Sequence, residues 1–86
     1  MELYQARYFM ALAEERNFTR AARRCGVSQP SLSNGIKRLE AELGAPLFQR
    51  EAGLVSLSQL GTTLLPYIER FDRYARELSD RLARFR

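Results

Sequence analysis

The stretch Cys25-Gly26-Val27-Ser28-Gln29-Pro30-Ser31-Leu32-Ser33 decides how this chain is read. Gly26 can take the left-handed conformation that stops a helix. Ser28 can cap a new helix, and Pro30 suits its first turn, where an amide would lack a partner anyway. One helix therefore ends at Gly26 and another opens between Ser28 and Pro30. The leading helix carries Arg20, Arg23 and Arg24. The second carries Gln29, Ser33 and Asn34 on one side, with Lys37 and Arg38 further along. From Arg16 to Arg38 there are six basic residues and no acidic one. Two short helices around a tight Gly-containing turn, with a basic and polar outer face, form the unit that lays a helix in the DNA major groove.

Upstream, apolar residues at Leu3, Ala6, Phe9, Leu12 and Ala13 have helical spacing, which predicts a helix over about residues 2–16 with one buried face. Thr19 is the expected N-cap of a short helix over about residues 20–25, with Ala21, Ala22 and Cys25 turned inward. Downstream, Leu32, Ile36, Leu39 and Leu43 make an apolar stripe, and Gly44 with Pro46 ends that helix. Gly35 lies mid-helix, where it costs roughly 0.5–1 kcal/mol relative to Ala, so close packing or room for DNA is expected there.

Leu47-Phe48-Gln49-Arg50 and Leu54-Val55-Ser56-Leu57 read as strands, with Glu51-Ala52-Gly53 as a short hairpin spacer. Three helices followed by a two-stranded wing make a mainly α winged helix-turn-helix. Ser58 then caps a long helix over about residues 59–84, slightly bent near Pro66. Its apolar residues Leu64, Ile68, Phe71, Ala75, Leu78, Leu82 and Phe85 alternate spacings of four and three. That is a heptad seam, the pattern by which helices pair, and it makes these residues the expected dimerisation surface. The expected organisation is a winged helix-turn-helix over residues 1–58 and a linker helix over 59–86.

Charge supports a polyanionic partner. The chain has 86 residues and a net charge of +4. Residues 1–50 hold eight basic and five acidic side chains, net +3; residues 51–86 hold six and five, net +1. The excess thus lies where the helix-turn-helix does. A single cysteine excludes an intrachain disulfide, and no apolar run approaches the ~20 residues that span a bilayer. With no signal-peptide pattern at the N-terminus, a cytoplasmic, DNA-associated protein is expected. Enzyme chemistry is not expected. There is no histidine, Cys25 has no evident base, and no metal cluster or phosphate loop is visible, so no cofactor is assigned. Glu40, Glu42, Glu69, Asp72, Glu77 and Asp80 are expected on solvated helix faces.

These residues resemble the N-terminal DNA-binding region of the LysR-type transcriptional regulators, a large bacterial family. The resemblance rests on Tyr8-Phe9, Asn17-Phe18-Thr19-Arg20-Ala21-Ala22, Val27-Ser28-Gln29-Pro30-Ser31-Leu32-Ser33 and Ile36-Lys37-Arg38-Leu39-Glu40. Glu42-Leu43-Gly44, Pro46-Leu47-Phe48 with Arg50, and Leu57-Ser58 with Gly61 extend it over nearly the whole chain. It implies a dimer that binds an interrupted inverted repeat in duplex DNA and activates or represses nearby genes. It also implies a C-terminal domain, absent from this sequence, that binds a small-molecule inducer and builds a tetramer. The chain departs from the family at Asn34, where a basic residue is frequent. It departs again at Ala52, Gly53 and Leu54, where the wing usually carries Arg or Lys; Arg50 is the cation left nearby.

The candidate DNA-binding residues are Thr19, Arg20, Ser28, Gln29, Pro30, Ser31, Ser33, Asn34, Lys37, Arg38 and Arg50. Gln29 is the candidate base reader, because its amide can pair bidentately with adenine N6 and N7. Pro30 offers an apolar surface to a thymine methyl. Ser33 and Lys37 are expected at phosphate, and Asn34 at adenine or backbone. The plain alternative for each is a solvated surface residue. Ser28 and Thr19 are caps first. Phe9, Phe18, Phe48 and Cys25 are expected core residues. A second reading of the whole chain is a protein-interaction module that forms heterodimers through the heptad helix.

Overall fold

The computed structural model describes residues 1–86. Four helices and one hairpin follow in the order α1 (Leu3–Glu15), α2 (Phe18–Cys25), α3 (Gln29–Leu43), β1 (Phe48–Glu51), β2 (Leu54–Leu57) and α4 (Gln59–Ala83). This is the winged helix-turn-helix with a long C-terminal helix that the sequence predicts.

The core forms where the inward faces of α1, α2 and α3 meet. Phe9, Leu12, Leu32, Leu39 and Leu47 are its largest fully buried side chains, joined by Ala6, Ala21, Ala22, Ile36, Val55 and Ile68. Ala21 and Ala22 are small enough to let α2 lie close to its neighbours. Leu43, expected in the apolar stripe, is 40% exposed, because α3 runs past the edge of the globule by its last turn.

The helix boundaries follow from local chemistry. The α2 cap is Asn17, two residues earlier than expected: its side-chain oxygen accepts from the Arg20 amide at 2.8 Å. Thr19 therefore sits inside the helix and caps nothing. Gly26 closes α2 in the left-handed region at φ 70°, and Ser28 opens α3 by accepting from the Ser31 amide. Gly35 resolves to close packing. A Cβ built there would lie 2.6 Å from Cδ2 of Tyr8 on α1.

The hairpin is tighter than expected. Glu51 belongs to β1 and pairs with Leu54, so the loop is only Ala52-Gly53. Both have positive φ, 51° and 77°, the geometry whose twist matches two-residue hairpins. Arg16 and Arg50 help to fix the wing to the helices. Arg16 Nε donates to the Val55 carbonyl at 3.2 Å, and the Arg50 guanidinium lies over the Phe18 ring.

Helix α4 runs unbroken through Pro66, capped by Ser58, whose Oγ accepts from the Gly61 amide. Its 25 residues span about 37 Å at the usual rise, and the molecule measures 49 × 25 × 20 Å. The first half of α4 lies on the globule. Gly61, Ile68 and Asp72 are buried, and Leu64 packs against the core. Ile68 is 2% exposed inside the chain's own core, which removes it from the expected seam. The seam is exposed at Phe71, Leu78, Leu82 and Phe85, with Ala75 half-buried between them.

Asp72 corrects the expectation of a solvated face. It is 4% exposed and bound by Arg7 Nε of α1 at 3.1 Å and Arg76 Nε of α4 at 2.8 Å. Burial pushes its carboxyl up, but the hydrogen bonds and charges of Arg76 and Arg7 outweigh that and leave it below the ordinary value. Glu40 is likewise occupied: one carboxylate oxygen accepts from the Leu47 and Phe48 amides at 2.6 and 3.3 Å, anchoring the start of β1 to α3.

Candidate nucleic-acid interface

The N-terminal half of α3 presents its polar side away from the core because Leu32, Ile36 and Leu39 fix the opposite side inward. Gln29, Pro30, Ser33, Asn34 and Lys37 line one wall of a groove of about 430 Å³. The other wall comes from Phe48 and Arg50 of β1 and Phe18 of α2, with Ile36 and Glu40 also lining it. Six of the predicted DNA-binding residues thus meet in one place. Phe18 and Phe48 were expected purely as core residues. Their rings are half-buried and shape the groove as well as closing the core. Aromatic residues next to a wing strand give no sequence signal that separates these two tasks.

The remaining candidates lie elsewhere. Ser28 and Ser31 are occupied at the start of α3: Ser28 Oγ accepts from the Ser31 amide and donates to Ser31 Oγ at 2.9 Å. Thr19, Arg20 and Arg38 are exposed and outside the groove wall.

The basic run changes character once folded. In sequence it contains no acid, but α1 supplies two. Arg24 pairs with Glu14 at 2.7 Å and Glu15 at 3.3 Å, and those contacts raise its pKa. Arg20 donates to the Glu15 carbonyl at 2.9 Å and faces its carboxylate at 3.6 Å. Arg16 is committed to the wing. Arg23, Lys37 and Arg38 enter no ion pair within the chain, nor does Arg50 on the wing. The Arg20 and Arg24 pairs are themselves exposed, so they hold these side chains weakly and a phosphate could replace the carboxylates.

No cluster of three metal-ligating side chains is formed. Burial raises the pKa of the Cys25 thiol and the smaller opposing effect of Arg24 does not cancel it, so the neutral thiol is favoured over the thiolate. No helix is long and apolar enough to cross a membrane.

A three-helix unit with a two-stranded wing, a polar helix face in an open groove and unpaired cations at its rim define a winged helix-turn-helix DNA-binding domain. The family model for bacterial regulatory helix-turn-helix proteins of the lysR family matches residues 3–62. The chain belongs to that family. It is 57% identical over 61 residues to the HTH-type transcriptional regulator BudR of Klebsiella aerogenes, covering 71% of this chain and 43% of that protein. Among solved structures, it is similar to a CbnR_DBD–DNA complex, at 37% identity with both chains fully covered and a TM-score of 0.89. It is also similar to a BenM_DBD/benA site 1 DNA complex, at 34% identity over 99% of this chain and 96% of that one, with a TM-score of 0.90. The chain spans less than half the length of the curated relatives named first among its matches. These relatives are regulators, and the chain's fold is that of a regulator's DNA-binding domain and not of an enzyme.

Proposed function

We propose that this chain is the operator-reading unit of a bacterial transcriptional regulator, binding duplex DNA in a sequence-specific way. The single observation that carries this is the groove in which Gln29, Pro30, Ser33, Asn34, Lys37 and Arg50 converge. Side chains that match base edges lie there between cations that match phosphate. The N-terminal part of α3 enters the major groove. Gln29 and Asn34 face bases, Pro30 faces a thymine methyl, and Lys37, Arg38 and Arg50 face phosphate. Thr19, Arg20, Ser28 and Ser31 stand where α2 and α3 begin, close to the backbone on either side. Such a regulator acts in the bacterial cytoplasm.

Two protomers pair through the exposed stripe of α4, from Phe71 to Phe85, and so read an interrupted inverted repeat. The globule to residue 58 is the reading head, and the helix beyond it sets the distance to the second head. Leu78 at 69% and Phe85 at 89% exposure support this reading, because apolar side chains so exposed along one helix stripe gain from a partner. The heterodimer reading uses the same stripe and does not explain the groove.

The test is retention of random duplexes by this chain at moderate salt, followed by sequencing. Enrichment of an inverted repeat with a fixed gap is the expected result. Retention without enrichment would overturn base reading and leave phosphate binding alone.

A further inference from the structure

We propose that Ser33 is a positioning residue for Gln29: its hydroxyl holds the Gln29 amide so that the groove presents a preformed edge matching adenine. The inference rests on the reading of this groove as a base-reading surface. It gives Ser33 a different task from the phosphate contact expected of a serine on a DNA-facing helix.

The observation is a hydrogen bond within the groove wall. Gln29 Nε2 donates to Ser33 Oγ at 2.9 Å, one helical turn along α3. The two ends of this bond differ in freedom. Gln29 is exposed in the first turn of the helix, while Ser33 is half-buried and adjoins the fully buried Leu32. A short side chain on a packed helix therefore anchors a long one that would otherwise sample many rotamers. Ser31, two residues from Gln29, lies on a different face of the helix, and its hydroxyl accepts from Ser28.

The chemistry of the amide gives the bond its consequence. A glutamine amide has one acceptor oxygen and two donor hydrogens. With one hydrogen committed to Ser33, the groove keeps one acceptor and one donor side by side. Adenine offers the complement in the major groove, the N6 donor and the N7 acceptor. Guanine offers two acceptors there, O6 and N7, so the amide oxygen would face an acceptor. A free amide can turn its NH2 group toward guanine. A tethered one must first break the bond from Nε2 and re-form it with the Ser33 hydroxyl as donor to its oxygen. Ordering the side chain before binding also removes an entropy loss from the encounter.

The experiment compares the wild type, Ser33→Ala, Ser33→Thr, Gln29→Ala and the double variant. Each is titrated against the duplex selected by the wild type and against copies with single A·T pairs changed to G·C. Gln29→Ala identifies the pair that Gln29 reads. At that pair, Ser33→Ala is expected to lose about three- to tenfold of discrimination, the worth of one ordinary hydrogen bond. Ser33→Thr restores most of it, and the double variant matches Gln29→Ala alone. Weakening of all duplexes alike by Ser33→Ala, with the salt slope reduced by about one, would assign Ser33 to phosphate and overturn the proposal. A further loss of discrimination by Ser33→Ala in the Gln29→Ala background would also overturn it, since Ser33 would then read DNA itself. If Gln29→Ala alters discrimination at no pair, the base-reading assignment of Gln29 fails first, and the tether has no function to serve.

Discussion

The Arg50 guanidinium stands 4.5 Å from the centre of the Phe18 ring, tying the first wing strand to the first turn of α2. The same residue lines the groove beside Lys37. Arg50 therefore has two tasks: it braces the wing and supplies the rim with charge. Arg50→Ala is expected to lower stability by about 0.5–1 kcal/mol through loss of the cation–π contact. It should also weaken binding to every duplex without changing preference. Arg50→Lys should keep the charge but hold the ring less well. Denaturant unfolding and salt-dependent titration check the two effects separately.

The groove assigns different roles to residues two turns apart on α3. Gln29→Ala is expected to cost about 1–3 kcal/mol of discrimination at one base pair. Lys37→Ala should instead weaken specific and random duplexes alike and reduce the salt slope by about one. Equal specific-to-random ratios for wild type and Gln29→Ala would refute the base-reading assignment. Titrations at four salt concentrations separate these outcomes.

Asp72 makes stability depend on acid. Its folded pKa lies below the ordinary 3.8, so the unfolded chain binds the proton more readily. The ion-paired carboxylate thus contributes its full stability above pH 3.8, and loses it as pH falls through the lower folded value. Asp72→Asn should lower stability by about 1–3 kcal/mol at neutral pH, limited by the solvent exposure of Arg7 and Arg76. The difference between wild type and variant should shrink as pH falls through that window. Unfolding measured from neutral pH downward gives the curve; a difference constant with pH would show that the carboxylate charge is not the cause.

Much of this architecture is legible from residue type and spacing. Ser28, Pro30 and Gly44 fix the bounds of α3 by local backbone chemistry alone, and Ser58 fixes the start of α4. Most of what escaped depends on contacts between distant residues. Asn17 and Thr19 are both competent caps, and only the backbone extension at Asn17 selects between them. Asp72 sits among arginines in a helix that reads as solvated, and its burial depends on Arg7, far away in sequence. Arg20 and Arg24 read as free cations because Glu14 and Glu15 lie on another helix. Within the groove, α3 was readable by helical period, whereas the wall formed by Phe18 and Phe48 required the wing to be folded in place.

Two glycines test close packing. At Gly61 a Cβ would run into the Leu47 carbonyl oxygen, backbone that also accepts from the Ser58 amide. At Gly35 the obstacle is the Tyr8 ring, a side chain that can yield somewhat. Helix propensity favours Ala over Gly by about 1 kcal/mol at both. Overpacking costs typically 1–3 kcal/mol, and more where backbone must move. Gly61→Ala is therefore expected to destabilise clearly more than Gly35→Ala. Thermal unfolding of the two variants side by side decides it, and the reverse order would show that α4 slides easily on the wing.

The exposed stripe of α4 can be separated from the folding of the globule. Ile68 is buried within one chain, so a polar residue there would unfold the domain and say nothing about pairing. Leu78 and Leu82 are 69% and 50% exposed and lie beyond the segment that docks on α1. Leu78→Glu with Leu82→Glu should leave the globule folded, because neither side chain joins the core. If two protomers pair through this stripe, the double variant should remain monomeric at concentrations where the wild type is a dimer. Its affinity for an inverted repeat should drop toward that for one half-site, since linkage is what raises the effective concentration of the second head. Light scattering gives the oligomeric state and half-site titration gives the affinity. A double variant that still dimerises and still binds the full repeat tightly would place the pairing surface elsewhere on the molecule.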